Sequence, residues 1–220
     1  MRYGPTLETS YGIHFAADRT MIKTCIQLVL AFALLACNSS DPVESSFVRD
    51  RPLQHSDSLV NVILDLAERL KATPLTGDRD VDVVTELIEH HTAAIEMDRI
   101  LQRDGSDPDL KAFAKELDRI FKDEIGKLRG FLEHHPPVSG AGKRGVSEWM
   151  DILNTTEPTD DLDAAYRKLM AKHLELGIAL ARKEQERGLH GDMKEVAGEM
   201  VRNSEAMLAE LRGRTGGLSL

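Results

Sequence analysis

The chain is predicted to be all-α: an up-and-down four-helix bundle of two helical hairpins, with one additional helix at its N-terminal side. Three observations lead there. The 220 residues are 41% hydrophobic but only 5% aromatic, and 30% are charged, so the core is drawn from Leu, Ile, Val, Ala and Met, a diet that favours helices over a β-sandwich. Four long segments carry apolar residues three and four apart, and none alternates as a strand would. Capping and breaking residues separate those segments.

In chain order, Leu59, Val60, Ile63, Leu66, Ala67 and Leu70 mark the added helix over 57–71, which "PLTGD" ends. A long helix follows from about Asp80 to Arg103 and stops at "DGSDP". Asp107 as N-cap with Pro108 at the first helical position opens the next, lasting to about Leu132. Two prolines and three glycines in "HHPPVSGAGKRG" make a loop, and a short piece around "SEWMDIL" comes after it. Asp160 or Asp161 caps a third long helix to about Glu186, and "RGLHGD" turns the chain into the last, ending near Arg212. The two hairpins also resemble each other in pattern. "VVTELIEHHTAAIEMDRIL" lies over "AAYRKLMAKHLELGIALAR", which sets His91 against His173 and indicates an internal duplication.

The N-terminus speaks to compartment. Residues 26–36, "IQLVLAFALLA", form an uncharged apolar run that is short for a membrane span but suits the hydrophobic region of a signal peptide. "LLAC" followed by "NSSDPVESS" resembles a bacterial lipobox, with Cys37 as the lipidated first residue of the mature protein and Met21 as the start of a compact signal. The expected organisation is signal peptide and lipobox over 1–37, a flexible tether over 38–56, the bundle over 57–213 and a disordered tail over 214–220. Lipidation would use Cys37 and cleavage would remove Cys25, leaving neither a disulfide nor a thiolate site in the bundle. Asn38 after Cys37 points to an outer-membrane anchor facing the periplasm. The net charge of −9, with no basic stripe against it, excludes a nucleic-acid binder.

At about 100° per residue, Val83, Val84, Leu87, Ala94 and Ile95 share one helical face. His91 falls in the middle of that stripe, and His90 falls toward its edge in line with Met97. Glu124 sits among Phe113, Leu117, Ile120, Phe121, Leu128 and Phe131, while His173 sits among Tyr166, Leu169, Met170, Leu176 and Leu180. Three polar side chains from three helices thus point inward, and a buried carboxylate needs a partner. A metal ion or a His–Glu hydrogen bond would supply it. A lone core histidine is more often structural than ligating, and buried methionines are more often filler than thioether ligands. His134 and His135 are expected to finish their helix against its terminal carbonyls.

The element "LIEHHTAAIEM", with His90, His91, Ala94, Ile95 and Met97, followed by "FKDEIGKLRGFL" with Glu124 and Ile125, resembles the bacterial domain-of-unknown-function family 305, a group of ferritin-like four-helix bundles. Leu87 and Leu128 stand where that family often has Met, and Phe121 stands for its usual Gln. The likeness is close over about 80–132 and looser over 162–212. It implies a secreted or membrane-tethered protein with a role in copper handling. His90, His91, Met97, Glu124 and His173 are then the candidate ligands, and loss of methionines favours Cu(II) or Zn(II) over Cu(I). Glu86 or Asp98 is expected to hold an imidazole from behind.

The reading is a non-enzymatic envelope lipoprotein that binds a transition metal, copper before zinc or iron, for buffering, storage or transfer. One rival is a structural lipoprotein that meets an envelope protein or a second copy of itself and holds no metal. The other is a di-iron oxidase, which such bundles build from Glu-x-x-His pairs. Here the spacing is Glu86-x-x-x-His90, one residue too long.

Overall fold

The computed structural model describes residues 55–138, 140 and 142–214; the lipobox, Cys37, the tether as far as residue 54 and the tail beyond residue 214 lie outside the described residues, while His55 and Ser56, expected in the tether, open a helix. Six helices occur among those described: α1 (His55–Ala72), α2 (Arg79–Asp104), α3 (Pro108–His134), the short α4 (Ser147–Asn154), α5 (Leu162–Arg187) and α6 (Gly191–Gly213). None of them is long and apolar enough to cross a membrane. The four long helices form the bundle: α2 packs on α3, α5 on α6, and the two hairpins meet through α2 with α5 and α3 with α6. α1 lies against α2, α4 and α5.

Local chemistry sets the helix starts. Asp78 accepts hydrogen bonds from the amides of Asp80 and Val81, Asp107 from those of Asp109 and Leu110, and Asp161 from that of Ala164. A second aspartate, two residues inside each hairpin's first helix, ties down the opposite turn. Asp80 accepts from the amides of Leu189 and His190, and Asp163 from those of Ser106 and Asp107. The two turns are thereby stapled reciprocally.

These pairs reveal the register of the duplication. Asp78 and Asp161, Asp80 and Asp163, and Gly105 and Gly188 each play the same part at a spacing of 83 residues, the separation that also relates His90 to His173. The sequence alignment of His91 with His173 is therefore one residue out, which on a helix is a rotation of about 100°. The core divides into two apolar clusters. The larger runs from Leu59 and Ile63 of α1 through Met97, Phe121, Trp149 and Tyr166, and the smaller gathers Val84, Leu87, Leu128, Met193 and Met200.

Candidate metal centre

Between these clusters lies a row of polar side chains. His90, His91, Glu124 and His173 are each 2% exposed or less. His90 was expected at the stripe's edge; it is buried because Trp149 of α4 packs on it, with ring centroids 5.2 Å apart. His90 and His173 stack almost parallel, 3.8 Å between centroids with 10° between planes. Each ring donates across the stack: His90 Nε2–H to the carbonyl of His173 at 3.0 Å, and His173 Nε2–H to the carbonyl of His90 at 3.1 Å. Gly177 permits this approach, since a Cβ there would lie 2.6 Å from His90 Cε1.

The carbonyls fix the tautomers. A carbonyl only accepts, so Nε2 carries the proton in both rings. Burial foremost, then the neighbouring imidazoles, pushes the pKa of His90 well below its ordinary value, and burial followed by His91 lowers that of His173 to about 3. Both rings are neutral. His90 Nδ1 must then accept, and His91 Nδ1–H donates to it at 3.0 Å. This leaves His91 Nε2 facing Glu124 Oε2 at 2.9 Å. The other oxygen, Glu124 Oε1, accepts from Asn203 Nδ2 at 2.8 Å.

A neutral His91 presents a lone pair to a carboxylate oxygen, two acceptors side by side in a dry interior. A cation must lie between them, whether proton or metal ion. Neither His91 Nε2 nor Glu124 Oε2 has a properly aligned hydrogen bond, despite their close approach, and buried His173 Nδ1 has none either. Three donor atoms of the kind that imidazole- and carboxylate-binding ions use are thus unsatisfied in the buried core, two of them facing each other. The donor set fits a borderline ion. Among the described residues, no group of three or more His, Cys, Asp or Glu side chains is gathered so as to hold a metal.

Of the five predicted ligands, the structure brings four into one chain of contacts, in the order His173, His90, His91 and Glu124. Met97 sits six and seven residues along α2, about 10 Å of rise away, within the larger apolar cluster. His90 has both nitrogens engaged and acts to orient His91. The expected backing carboxylates go elsewhere. Glu86 accepts from Arg144 Nη1 at 2.9 Å and Trp149 Nε1 at 3.3 Å, and Asp98 accepts from the Tyr166 hydroxyl at 2.5 Å. His134 Nδ1 does meet a last-turn carbonyl, that of Gly130, whereas His135 stacks on Phe131 and approaches His190. Sequence reasoning missed Asn203, Trp149 and Gly177. Only Gly177 carries a local signal, as a glycine inside a helix costs about 1 kcal/mol and needs a packing reason.

Solved structures share this architecture at low identity. A DUF305 fragment from Deinococcus radiodurans matches at 15% identity and a TM-score of 0.51, covering 66% of this chain and 100% of the fragment. CopM in its Ag-bound form matches at 16% identity and 0.51, over 64% of this chain and 98% of CopM. The Cu(II)-bound form of CopM gives 18% and 0.50 over the same shares. At such identities the likeness establishes the fold. No curated protein matches the chain. Residues 80–214 match the family described as domain of unknown function DUF305, and by that match over more than half its length the chain belongs to the DUF305 family.

Proposed function

We propose that this chain is an envelope-tethered, non-enzymatic binder of a transition-metal ion, copper above all, that buffers, stores or hands over its cargo. The facing pair of His91 Nε2 and Glu124 Oε2, 2.9 Å apart and unsatisfied in a dry interior, carries the reading. In it His91 and Glu124 hold the ion, and the remaining coordination positions fall to water or a small ligand. His90 fixes the His91 ring, and Asn203 fixes the carboxylate. Imidazole and carboxylate suit Cu(II) or Zn(II), whereas the thioether of Met97 that Cu(I) would favour lies elsewhere in the core. CopM, which has the same fold, is known in Cu(II)- and Ag-bound forms, and that agreement supports copper as the cargo. Binding would displace the proton between His91 and Glu124, so affinity would rise with pH. Lipidated Cys37 would tether the protein to the periplasmic face of the outer membrane, and Cys37→Ala would release it to the soluble fraction.

Trp149 is the sole tryptophan and lies 5.2 Å from His90, so its emission reports on the site. Cu(II) is expected to quench it and to raise the melting temperature. At an ion concentration one hundred times Kd the gain is about 3 kcal/mol. Both responses should vanish in His91→Gln. A second reading rests on the reciprocal His90–His173 bonds, which could serve purely as a clamp between hairpins. No response of melting or emission to Cu(II), Cu(I) or Zn(II) would refute the metal reading and leave that one.

A further inference from the structure

We propose that His135 and His190 form a second site, open to solvent at the far end of α3, for a divalent transition-metal ion such as Cu(II) or Zn(II). The argument starts from Asp80. Its buried carboxylate is held by the amides of Leu189 and His190, at 2.7 and 2.8 Å, and it accepts the Nδ1–H of His190 at 2.8 Å. In the neutral ring the proton on Nδ1 leaves Nε2 of His190 as a lone-pair donor, which an incoming ion gains by displacing the second proton, and among the described residues nothing hydrogen-bonds to it. A carboxylate behind an imidazole is the arrangement that fixes a metal-binding histidine and raises its basicity.

His135 stands beside it. The two rings are 4.1 Å apart between centroids and tilted by 55°, while Phe131 stacks on His135 at 4.4 Å and steadies it. No hydrogen bond reaches either nitrogen of His135 among the described residues. His190 is 31% exposed on its side chain and His135 is half-buried, so an ion can reach both. The surrounding charge favours a cation. Asp78, Asp80 and Asp192 all act on His190. The N-terminus of α6 opposes a cation, but these carboxylates outweigh a half-charge, and the C-terminal carbonyl end of α3 lies beneath His135. The duplication sharpens the point. At the equivalent turn His190 is replaced by Asp107, which pairs with Arg167, so the imidazole pair belongs to one end of the bundle only. Two imidazoles leave the remaining coordination positions to water, which suits rapid capture and release rather than storage.

The site is independent of the buried pair, and the test separates them. Untagged full-length protein is titrated with Zn(II) by calorimetry and with Cu(II) by electron paramagnetic resonance, following Trp149 emission throughout. In His135→Ala/His190→Ala, one ion per chain should be lost, or its affinity should fall at least tenfold, with any Trp149 quenching unchanged. Asp80→Asn should weaken the same ion by 10- to 100-fold. If the wild type binds one ion that the double variant loses, and Trp149 never responds, the surface site stands and the buried one falls. If the double variant binds the same number of ions as tightly as the wild type, the proposal is overturned, as it is if neither protein binds any.

Discussion

Replacing Glu184 by leucine should stabilise the protein in mild alkali and change little in acid. Glu184 is fully buried in α5 with Asp80 against it at hydrogen-bond reach, and while both carboxyls are ionised neither oxygen of Glu184 meets a donor. Burial first, and the negative charge of Asp80 second, raise its pKa from 4.5 to about 7. A raised carboxyl pKa means that the folded state holds the proton more tightly than the unfolded chain. Stability is thus lost as pH rises from 4.5 through 7, and is flat above that. Full conversion of that gap corresponds to about 3 kcal/mol, and solvent screening together with the nearby charges of Arg79 and Lys194 reduces the expectation to roughly 1–2 kcal/mol. Leucine should fit, because the duplication has already tested it. Leu101, 83 residues earlier, occupies the same place beneath Gly105 that Glu184 occupies beneath Gly188. The assay is urea unfolding of wild type and Glu184→Leu at pH 4.5 and pH 8, with melting curves alongside. At pH 8 the gain of 1–2 kcal/mol should raise the melting temperature by about 2–8 °C. Glu184→Gln, neutral at every pH and able to donate to Asp80, should follow the same trend. An equal gain at both pH values, or a loss at pH 8, would refute the reasoning.

Gly177→Ala should destabilise the protein by about 1 kcal/mol even though alanine is the better helix former. The clash with His90 costs about 1–3 kcal/mol and outweighs a propensity gain of about 1; a stabilised variant would mean that the ring stack is not tight. Histidine titration followed by NMR should show His173 still neutral at pH 5 and His90 titrating well below its ordinary range, while the pKa of His190 lies above its ordinary value because Asp80 accepts its proton. For His173 the depressed pKa means stability present above about 6.5 and lost as pH falls toward 3, at a little over 1 kcal/mol per pH unit, and a midpoint near 6 would contradict the buried stack. Burial, ahead of the Tyr166 hydrogen bond that opposes it, raises the pKa of Asp98 well above its ordinary value. Asp98→Asn should cost under about 1 kcal/mol, whereas Tyr166→Phe, which removes its donor, should cost about 1–3. Equal losses from the two in urea unfolding would put a charge on Asp98.

Helical periodicity, capping aspartates and glycine breaks were enough to place every long helix to within a few residues, since these signals act within one or two turns of the chain. The same periodicity put His91, Glu124 and His173 on inward faces, and burial there follows from apolar neighbours on the same helix. What periodicity lacks is angular precision and knowledge of the partner. A one-residue error in the internal alignment rotated the match from His90 to His91, and so hid the reciprocal stack that fixes the tautomers. Glu86 looked like a support for a histidine because it lies one turn away, yet Arg144 and Trp149, brought in by the loop before α4 and by α4 itself, claim it. His90 looked peripheral until Trp149 covered it. Asp80, Glu184 and His190 are about a hundred residues apart at the extremes and meet only because each hairpin's turn is stapled by an aspartate of the other. The sequence by itself determined which segments are helical and which faces are apolar, because those depend on neighbours in the chain. The tertiary structure decided which nitrogen and oxygen atoms are left without partners, because satisfaction of a buried polar group depends on the helices packed against it.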